Sequence, residues 1–259
     1  MISASFVGKI GEKFRFELKD CSPALANCVR RIIVDTVPTM AIEDVDFNDN
    51  SSALYDEMLA LRLGLIPLST DIKGYNERSK CKCGGEDCNS CTLKLHLKAK
   101  GPGVVYAKEM KSKDPKVKPV YSDMPIVKLL KDQELDFEAT AVLDRGSVHA
   151  KFSPGLAWFT YARTVEVNDK HPAIEEFKER YPSVIFKNNK IDAKIIAEND
   201  LFDAVAGVND EIIKVVYDPS KIVFNLEPWG QLSAKEVMLA ALDIIDSMLQ
   251  ELGEKIERR

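Results

Sequence analysis

Four of the six cysteines in this 259-residue chain fall within eleven residues: Cys81, Cys83, Cys88 and Cys91, around Gly84 and Gly85. Thiols clustered this way, in a reducing compartment, point to a metal rather than to disulfides. Two short cysteine pairs flanking a Gly-Gly turn can converge four thiolates on one tetrahedral ion. The glycines allow the tight turn, with positive φ where needed. Four sulfur ligands favour zinc, with an iron–sulfur cluster as the alternative. The C-x-C-x4-C-x2-C spacing departs from the common zinc-ribbon pattern and from the bacterial ferredoxin pattern. A catalytic zinc needs an open position and usually a histidine or acidic ligand. His96 is the candidate, and the alternation of Leu93, Leu95 and Leu97 sends it to the other face of a strand. The site therefore reads as closed and structural, with one ion. Cys21 and Cys28 stand apart on either side of a helix start and are expected to be buried thiols.

Nothing else in the chain resembles a catalytic arrangement. Phosphoryl transfer needs a tight group of aspartates to hold magnesium, and there is no Asp-x-Asp-x-Asp run. Asp44 and Asp46 alternate on a strand beside Glu43, as solvent-facing carboxylates do. There is no Gly-rich phosphate loop and no G-x-S-x-G elbow, and the three histidines form no recognisable constellation. No catalytic site is expected. The net charge of −5 argues against a chain that grips nucleic acid by itself. Lys108, Lys111, Lys113, Lys116 and Lys118 are interrupted by Asp114, Pro115 and Pro119 and read as a solvated loop. With 45% hydrophobic and 30% charged residues, the composition is that of an ordinary globular protein. No apolar run approaches the ~18 residues of a membrane span. The N-terminus begins a strand-like pattern with no basic region or signal-peptide core, so a cytoplasmic protein is expected.

The elements that must position these residues are legible in outline. Residues 3–19 read as a hairpin, with Phe14, Phe16 and Leu18 alternating after Gly8 and Gly11. Ser22 and Pro23 open a helix whose apolar stripe is Leu25, Cys28, Val29, Ile32 and Ile33 and which carries Asn27, Arg30 and Arg31. A strand is expected over residues 41–47, then a polar break at 48–52. A short helix over 54–65 carries Arg62 and stops at Gly64 and Pro67. Residues 93–99, 136–143, 158–161 and 222–227 read as strands, with Pro228-Trp229-Gly230 as a turn. Residues 169–215 mix short patterns around Asn188-Asn189. The last helix opens with the capping box Ser233-Ala-Lys-Glu236 and runs to about Ile256. Val237, Ala241, Ile244, Met248 and Leu252 form one apolar column on it, and Met238, Leu242, Ile245 and Leu249 form a second. Two columns exceed what one sheet face covers. A fully buried helix and a helix that takes a partner both fit the pattern.

The Asn27-x-x-Arg30-Arg31 helix, the Leu65-Ile66-Pro67-Leu68 turn, the segment from His149 to Gly155 and the terminal helix together resemble one family over most of the chain. It is the family of D-type subunits of archaeal DNA-directed RNA polymerase, related to the third-largest subunit of eukaryotic RNA polymerase II and to the bacterial alpha subunit. The cysteine spacing is similar to the zinc loop of the eukaryotic relative. The resemblance implies an α+β fold: a discontinuous alpha-subunit-type dimerisation domain, made of a sheet and the long C-terminal helix, in three parts (1–47, 154–168 and 216–259). An inserted mixed α/β domain with the four-cysteine metal loop would occupy 48–153. A smaller second insert would occupy 169–215, a cysteine-free counterpart of a ferredoxin-like insert found in some relatives. It further implies a non-catalytic assembly platform. Val237, Ala241, Ile244, Ile245, Met248 and Leu252 would meet a small L-type subunit. Asn27, Arg30 and Arg31 would meet the second-largest subunit; the platform would also take the largest subunit, and small N- and P-type subunits would dock on it. Without the resemblance, a zinc- or iron–sulfur-binding interaction or sensor protein outside any polymerase is the competing reading.

Overall fold

In the computed structural model, which describes residues 2–187 and 190–258, β1 (Ser3–Ile10) turns at Gly11 into β2 (Lys13–Lys19). Gly11 takes φ +59°, a left-handed turn conformation that suits glycine. Ser22 then starts α1 (Pro23–Asp35), its Oγ accepting the Leu25 N–H at 3.2 Å. The chain continues through β3 (Pro38–Asn50) and α2 (Asp56–Gly64) to the cysteine loop. After it come β4 (Thr92–Lys100), β5 (Gly103–Tyr106), β6 (Lys111–Ser112), β7 (Pro125–Leu129) and β8 (Glu134–Arg145). β9 (Gly155–Val167) leads to α3 (Ile174–Phe177), β10 (Phe186–Lys187), β11 (Lys190–Ile191), α4 (Ala193–Glu198) and α5 (Phe202–Val205). β12 (Ile213–Pro228) and α6 (Ala234–Glu257) complete the chain.

The chain divides into two compact units. The first takes in residues 1–8, 15–26 and 159–224, and the second residues 9–14, 27–158 and 225–259. The first unit is built on most of a four-stranded sheet of order β1-β2-β12-β9. Its segment between β9 and β12 has an apolar core of its own: Tyr181, Ile185, Ile196, Phe202, Val205 and Ile213 are all buried. Arg163 of β9 holds this segment. Its guanidinium donates to Asp203 at 2.7 Å and Asp200 at 3.0 Å and lies 4.7 Å over the Phe202 ring. Arg15 pairs with the same Asp200. The Asn188-Asn189 pair lies outside the described residues.

The second unit centres on the antiparallel sheet β3-β8-β4-β6. Leu93, Leu95 and Leu97 of β4 lie opposite Ala141, Ala139 and Phe137 of β8, and all six are buried. The same alternation turns Lys94, His96 and Lys98 outward. Leu59 and Leu63 of α2 enter this core fully buried. Arg62 donates from Nε to the Ile126 carbonyl at 2.9 Å and from Nη2 to that of Pro125 at 2.8 Å, tying α2 to β7.

Two local expectations need correction. Residues 48–50 are not a break: β3 runs through them, because Asn50 pairs with Leu135 and the Asn48 amide donates to Asp136 at 3.2 Å. Strand pairing there outweighs the turn preference of the polar run. The strand expected over 222–227 is also much longer, since β12 continues back to Ile213 through Asp218 and Pro219.

Candidate metal centre and partner surfaces

The cysteine loop is made by backbone conformations that few residues tolerate. Gly84 (φ +69°), Gly85 (φ +93°) and Asp87 (φ +51°) are all left-handed. Gly84 N–H donates to the Cys81 carbonyl at 3.1 Å, and the Cys91 and Thr92 N–H groups both donate to that of Cys88 at 2.9 Å. These turns bring the four Sγ atoms within 4.8 Å of one another. The individual separations are 3.5 Å for Cys81–Cys88, 3.7 Å for Cys83–Cys91 and 3.8 Å for Cys88–Cys91. All four predicted ligands thus converge and could hold one metal ion. Among the described residues, no other group of three or more Cys, His, Asp or Glu side chains is so placed. The hydrogen bond from the Cys81 thiol pulls the Cys83 thiol down to about 6, whereas burial pushes the Cys91 thiol up to about 12. A cation would supply the positive charge that a buried Cys91 thiolate lacks. His96 is exposed on the outer face and lies outside the group.

Two arginines that the sequence left without a role fix this loop to the sheet. Arg78, three residues before Cys81, pairs with Asp44 of β3 at 3.3 Å and with Asp87 inside the loop at 2.8 Å. Arg145, at the end of β8, pairs with Glu77 at 2.7 Å. Burial pushes the Glu77 carboxyl up, but hydrogen bonds from Arg145 and Lys80 outweigh it and hold the group below its usual range. Asn76 N–H adds a main-chain bond to the Ser90 carbonyl at 2.8 Å. Gly146 follows Arg145 against the end of α1, where a Cβ would stand 1.9 Å from the Val34 carbonyl oxygen. Ser147 N–H donates to the Asp35 carbonyl at 2.9 Å. The signal that could have flagged Arg78 is its place in a charged run immediately before the first metal ligand.

On α1 the buried residues are Ala26, Val29, Ile32 and Ile33. The expected stripe was set too far round. Leu25 is exposed in the first turn, and Cys28 is an exposed thiol rather than a buried one, because it falls beyond the edge of the inward arc. Cys21 is buried with Ala26 and Ile222, as expected. Asn27 and Arg31 point outward, and Arg30 is half-buried. Arg30 Nε donates to the Asn27 side chain at 3.0 Å, and Arg31 lies 3.7 Å from Asp35 with 67% of its side chain exposed.

α6 starts with the expected capping box. The Glu236 N–H donates to Ser233 Oγ at 3.3 Å, and the Ser233 N–H to Glu236 Oε2 at 2.8 Å. Its two halves differ. Val237 and Ala241, expected to face a partner, are fully buried in the chain alone, since the first turns pack on the chain's own core. Ile244 and Ile245 are half-buried. Met248, Leu249, Leu252 and Ile256 are 54–65% exposed. No described helix is long and apolar enough to cross a membrane.

Replacing Cys88 by Ser is expected to remove stoichiometric metal from the purified chain and to speed amide hydrogen exchange over residues 76–91. Exchange in β8 should stay slow, because that strand is held by the apolar core and not by the loop. Elemental analysis with exchange mass spectrometry reads both. Undiminished metal in Cys88→Ser would contradict the four-thiolate site.

The sequence signature of the RNA polymerase Rpb3/RpoA insert domain matches residues 45–155. The DNA-directed RNA polymerase subunit Rpo3 of Methanosarcina acetivorans is 37% identical over 244 residues, 92% of each chain. That of Methanosarcina mazei is 38% identical over 247 residues, again 92% of each chain. The Rpo3 of Pyrococcus horikoshii is 34% identical over 265 residues, 97% of this chain and 98% of the relative. Similarity this high over nearly the full length of both chains, with the cysteine loop lying inside the matched insert, leaves one assignment: the chain belongs to the Rpo3 family of DNA-directed RNA polymerase subunits.

Proposed function

We propose that this chain is the non-catalytic assembly platform of a multisubunit RNA polymerase, pairing with a small L-type subunit and recruiting the two large catalytic subunits. The observation that carries this reading is the outer half of α6. Four large apolar side chains over its last turns are more than half exposed, and Leu239 and Leu242 before them are 50% and 46% exposed, on a helix seated by buried Ala234, Val237 and Ala241. Such a row on a soluble chain marks an interface. Ile244, Ile245, Met248 and Leu252 are the contact residues for the small subunit, with Val237 and Ala241 seating the helix beneath them. The discontinuous dimerisation domain is 1–47, 154–168 and 216–259, interrupted by the metal-loop insert (48–153) and the small insert (169–215). Asn27, Arg30 and Arg31 meet the second-largest subunit. The outward Arg31 fork suits two-point pairing with a carboxylate or with carbonyls. The small N- and P-type subunits dock on the same platform, and nucleic acid is held by other chains.

The metal is one structural zinc. Thiolates at 2.3 Å from a tetrahedral zinc lie about 3.8 Å apart, and three of the six sulfur pairs, at 3.5–3.8 Å, fit that edge, with all four sulfurs within 4.8 Å. An iron–sulfur cluster shares its thiolates among several irons and spreads some of them further. This geometry also weighs against the sensor reading.

Co-expression with the L-type subunit should give a one-to-one heterodimer, and Met248→Asp should abolish it, since a charge would be buried without a partner. Ile244→Asp should act likewise. Size-exclusion chromatography with light scattering reads the result. A wild-type heterodimer unaffected by either change would refute the assigned face.

Arg31→Ala should leave the heterodimer intact yet weaken recovery of the second-largest subunit in a pull-down at matched concentration and salt. Truncating one partner of a buried charge pair costs about 2–5 kcal/mol, a loss of well over tenfold. Arg31→Lys should rescue poorly, because an ammonium lacks the planar fork. Equal recovery from the Arg30→Ala/Arg31→Ala double variant would show α1 to be ordinary surface.

A further inference from the structure

β3 is the outermost strand of its sheet: in the order β3-β8-β4-β6, no described strand pairs with its far side. The register says which of its main-chain groups face that side. Met40 N–H donates to Thr70 Oγ1 at 2.9 Å and the Ile42 carbonyl accepts from Lys151 at 2.9 Å, so both residues turn away from β8. The ladder slips between Ile42 and Asp44 and again between Phe47 and Asp49. Past the first slip the odd residues turn away: Val45, opposite Ala139, and Phe47, opposite Phe137. The far end agrees. Ser51 N–H donates to the Glu134 carbonyl at 3.1 Å, and counting back through Asp49 and the second slip gives the same assignment. Thr70 and Lys151 close the edge at Met40 and Ile42. At Val45 and Phe47 it fronts a groove of about 420 Å³, lined by these residues, Asp46, and Asp56, Glu57 and Ala60 of α2. An N–H and a C=O from each of Val45 and Phe47 thus stand as one strand presents them to another.

The charge around this edge says what the added strand must carry. Val45 and Phe47 are half-buried and pack on the sheet's apolar core, so the floor is apolar. Asp46, Asp49, Asp56 and Glu57 around it are all exposed. The preceding Glu43 and Asp44 are held by Lys151 and Arg78, whereas Asp46, Asp49 and Glu57 are in no ion pair among the described residues. Lys94, two strands away, is held by Glu138. Such an edge disfavours a second copy of itself, because like charges would face each other, and it repels phosphate. It suits a strand that brings Lys or Arg. Successive side chains of that strand fall on alternate faces. One face meets Asp46. On the other, a long basic side chain lays its methylenes over Val45, Phe47 and Ala60 and sets its charge beside Asp56 and Glu57.

We propose that the edge of β3 at Val45–Phe47 is a strand-addition site, and that its occupant is an extended, Lys- or Arg-bearing segment of another polymerase subunit. The segment's main chain pairs with Val45 and Phe47, and its basic side chains meet Asp46 on one face and Asp56 and Glu57 in the groove. The proposal rests on the reading of the chain as a polymerase subunit. It adds a mode of contact, main-chain pairing, that neither α6 nor the arginines of α1 supply.

The test is amide hydrogen exchange on the polymerase reconstituted from purified subunits around the heterodimer, read at single residues by electron-transfer fragmentation. The Val45 and Phe47 amides should exchange fast in the free heterodimer and about tenfold or more slower in the assembled enzyme. Those of Asp44 and Asp46, already in the ladder with Thr140 and Glu138, should be slow in both. The double variant Asp46→Lys/Glu57→Lys, at exposed positions, should leave the melting temperature of the free heterodimer nearly unchanged. In assembly it should either restore fast exchange at Val45 and Phe47 or lower incorporation of the covering subunit about tenfold. Three results each overturn the proposal and leave the platform reading standing: fast exchange at both residues in the assembled wild-type enzyme, slow exchange already in the free heterodimer, or protection and incorporation untouched by the charge reversal. Failure of the wild-type heterodimer to enter any polymerase overturns both.

Discussion

The constraint on which the rest depends is that α6 is longer than the cover the chain provides for it. Its 24 residues span about 36 Å. Ala234, Val237 and Ala241 are all but fully buried, while Met248, Leu249, Leu252 and Ile256 stay in water. Burying a large aliphatic side chain is worth about 1.5–3 kcal/mol, so the outer turns hold stabilisation that only association can realise. The capping box fixes where the helix starts, and the turn at Gly230 fixes how the chain enters it. The exposed row is thus presented on a helix seated by its own first half.

The inserted sheet solves a different problem. Its inner face is held by Leu95, Leu97, Phe137 and Ala139, which are fully buried or nearly so. Its outer face carries a ladder of opposite charges, with Lys94–Glu138 at 2.5 Å, Lys98–Asp136 at 2.6 Å and a Lys100–Glu134 pair. Asp136 is buried, but the three lysines are exposed, and pairs open to water in this way contribute little stability; the apolar face sets the register. The cysteine loop has no apolar core of its own. It is closed by left-handed residues and fastened by Arg78 and Arg145, and a metal ion held by the four thiolates would do there what packing does elsewhere.

Much of this was legible in the sequence because the signals were local. The alternation of Leu93, Leu95 and Leu97 placed His96 outside the metal group, and Ser233 with Glu236 marked the start of α6 to the residue. The four cysteines with Gly84-Gly85 announced a shared site. What was not legible depended on distant partners. Arg78, Arg145 and Arg163 look like surface charges until Asp44, Glu77 and Asp200 are brought to them by the fold. The extension of β12 through Asp218 and Pro219, and of β3 through Asn48, came from strand pairing that overrode turn-forming residues. The position of Cys28 at the edge of the buried arc was a matter of some tens of degrees, finer than apolar spacing resolves. Likewise, two apolar columns on α6 gave no sign that Val237 and Ala241 would be covered internally while Leu242, Met248, Leu249 and Leu252 were left bare.

The central claim is that α6 offers its bare apolar side chains from Leu242 to Ile256 to a partner, while Ala234, Val237 and Ala241 seat it on the chain's own core. Amide hydrogen exchange, followed by mass spectrometry on the chain before and after addition of the L-type subunit, separates the two. Slowed exchange over residues 244–257 with little change over 234–241 is the expected result. Unchanged exchange along all of α6 in a complex that demonstrably forms would contradict the account.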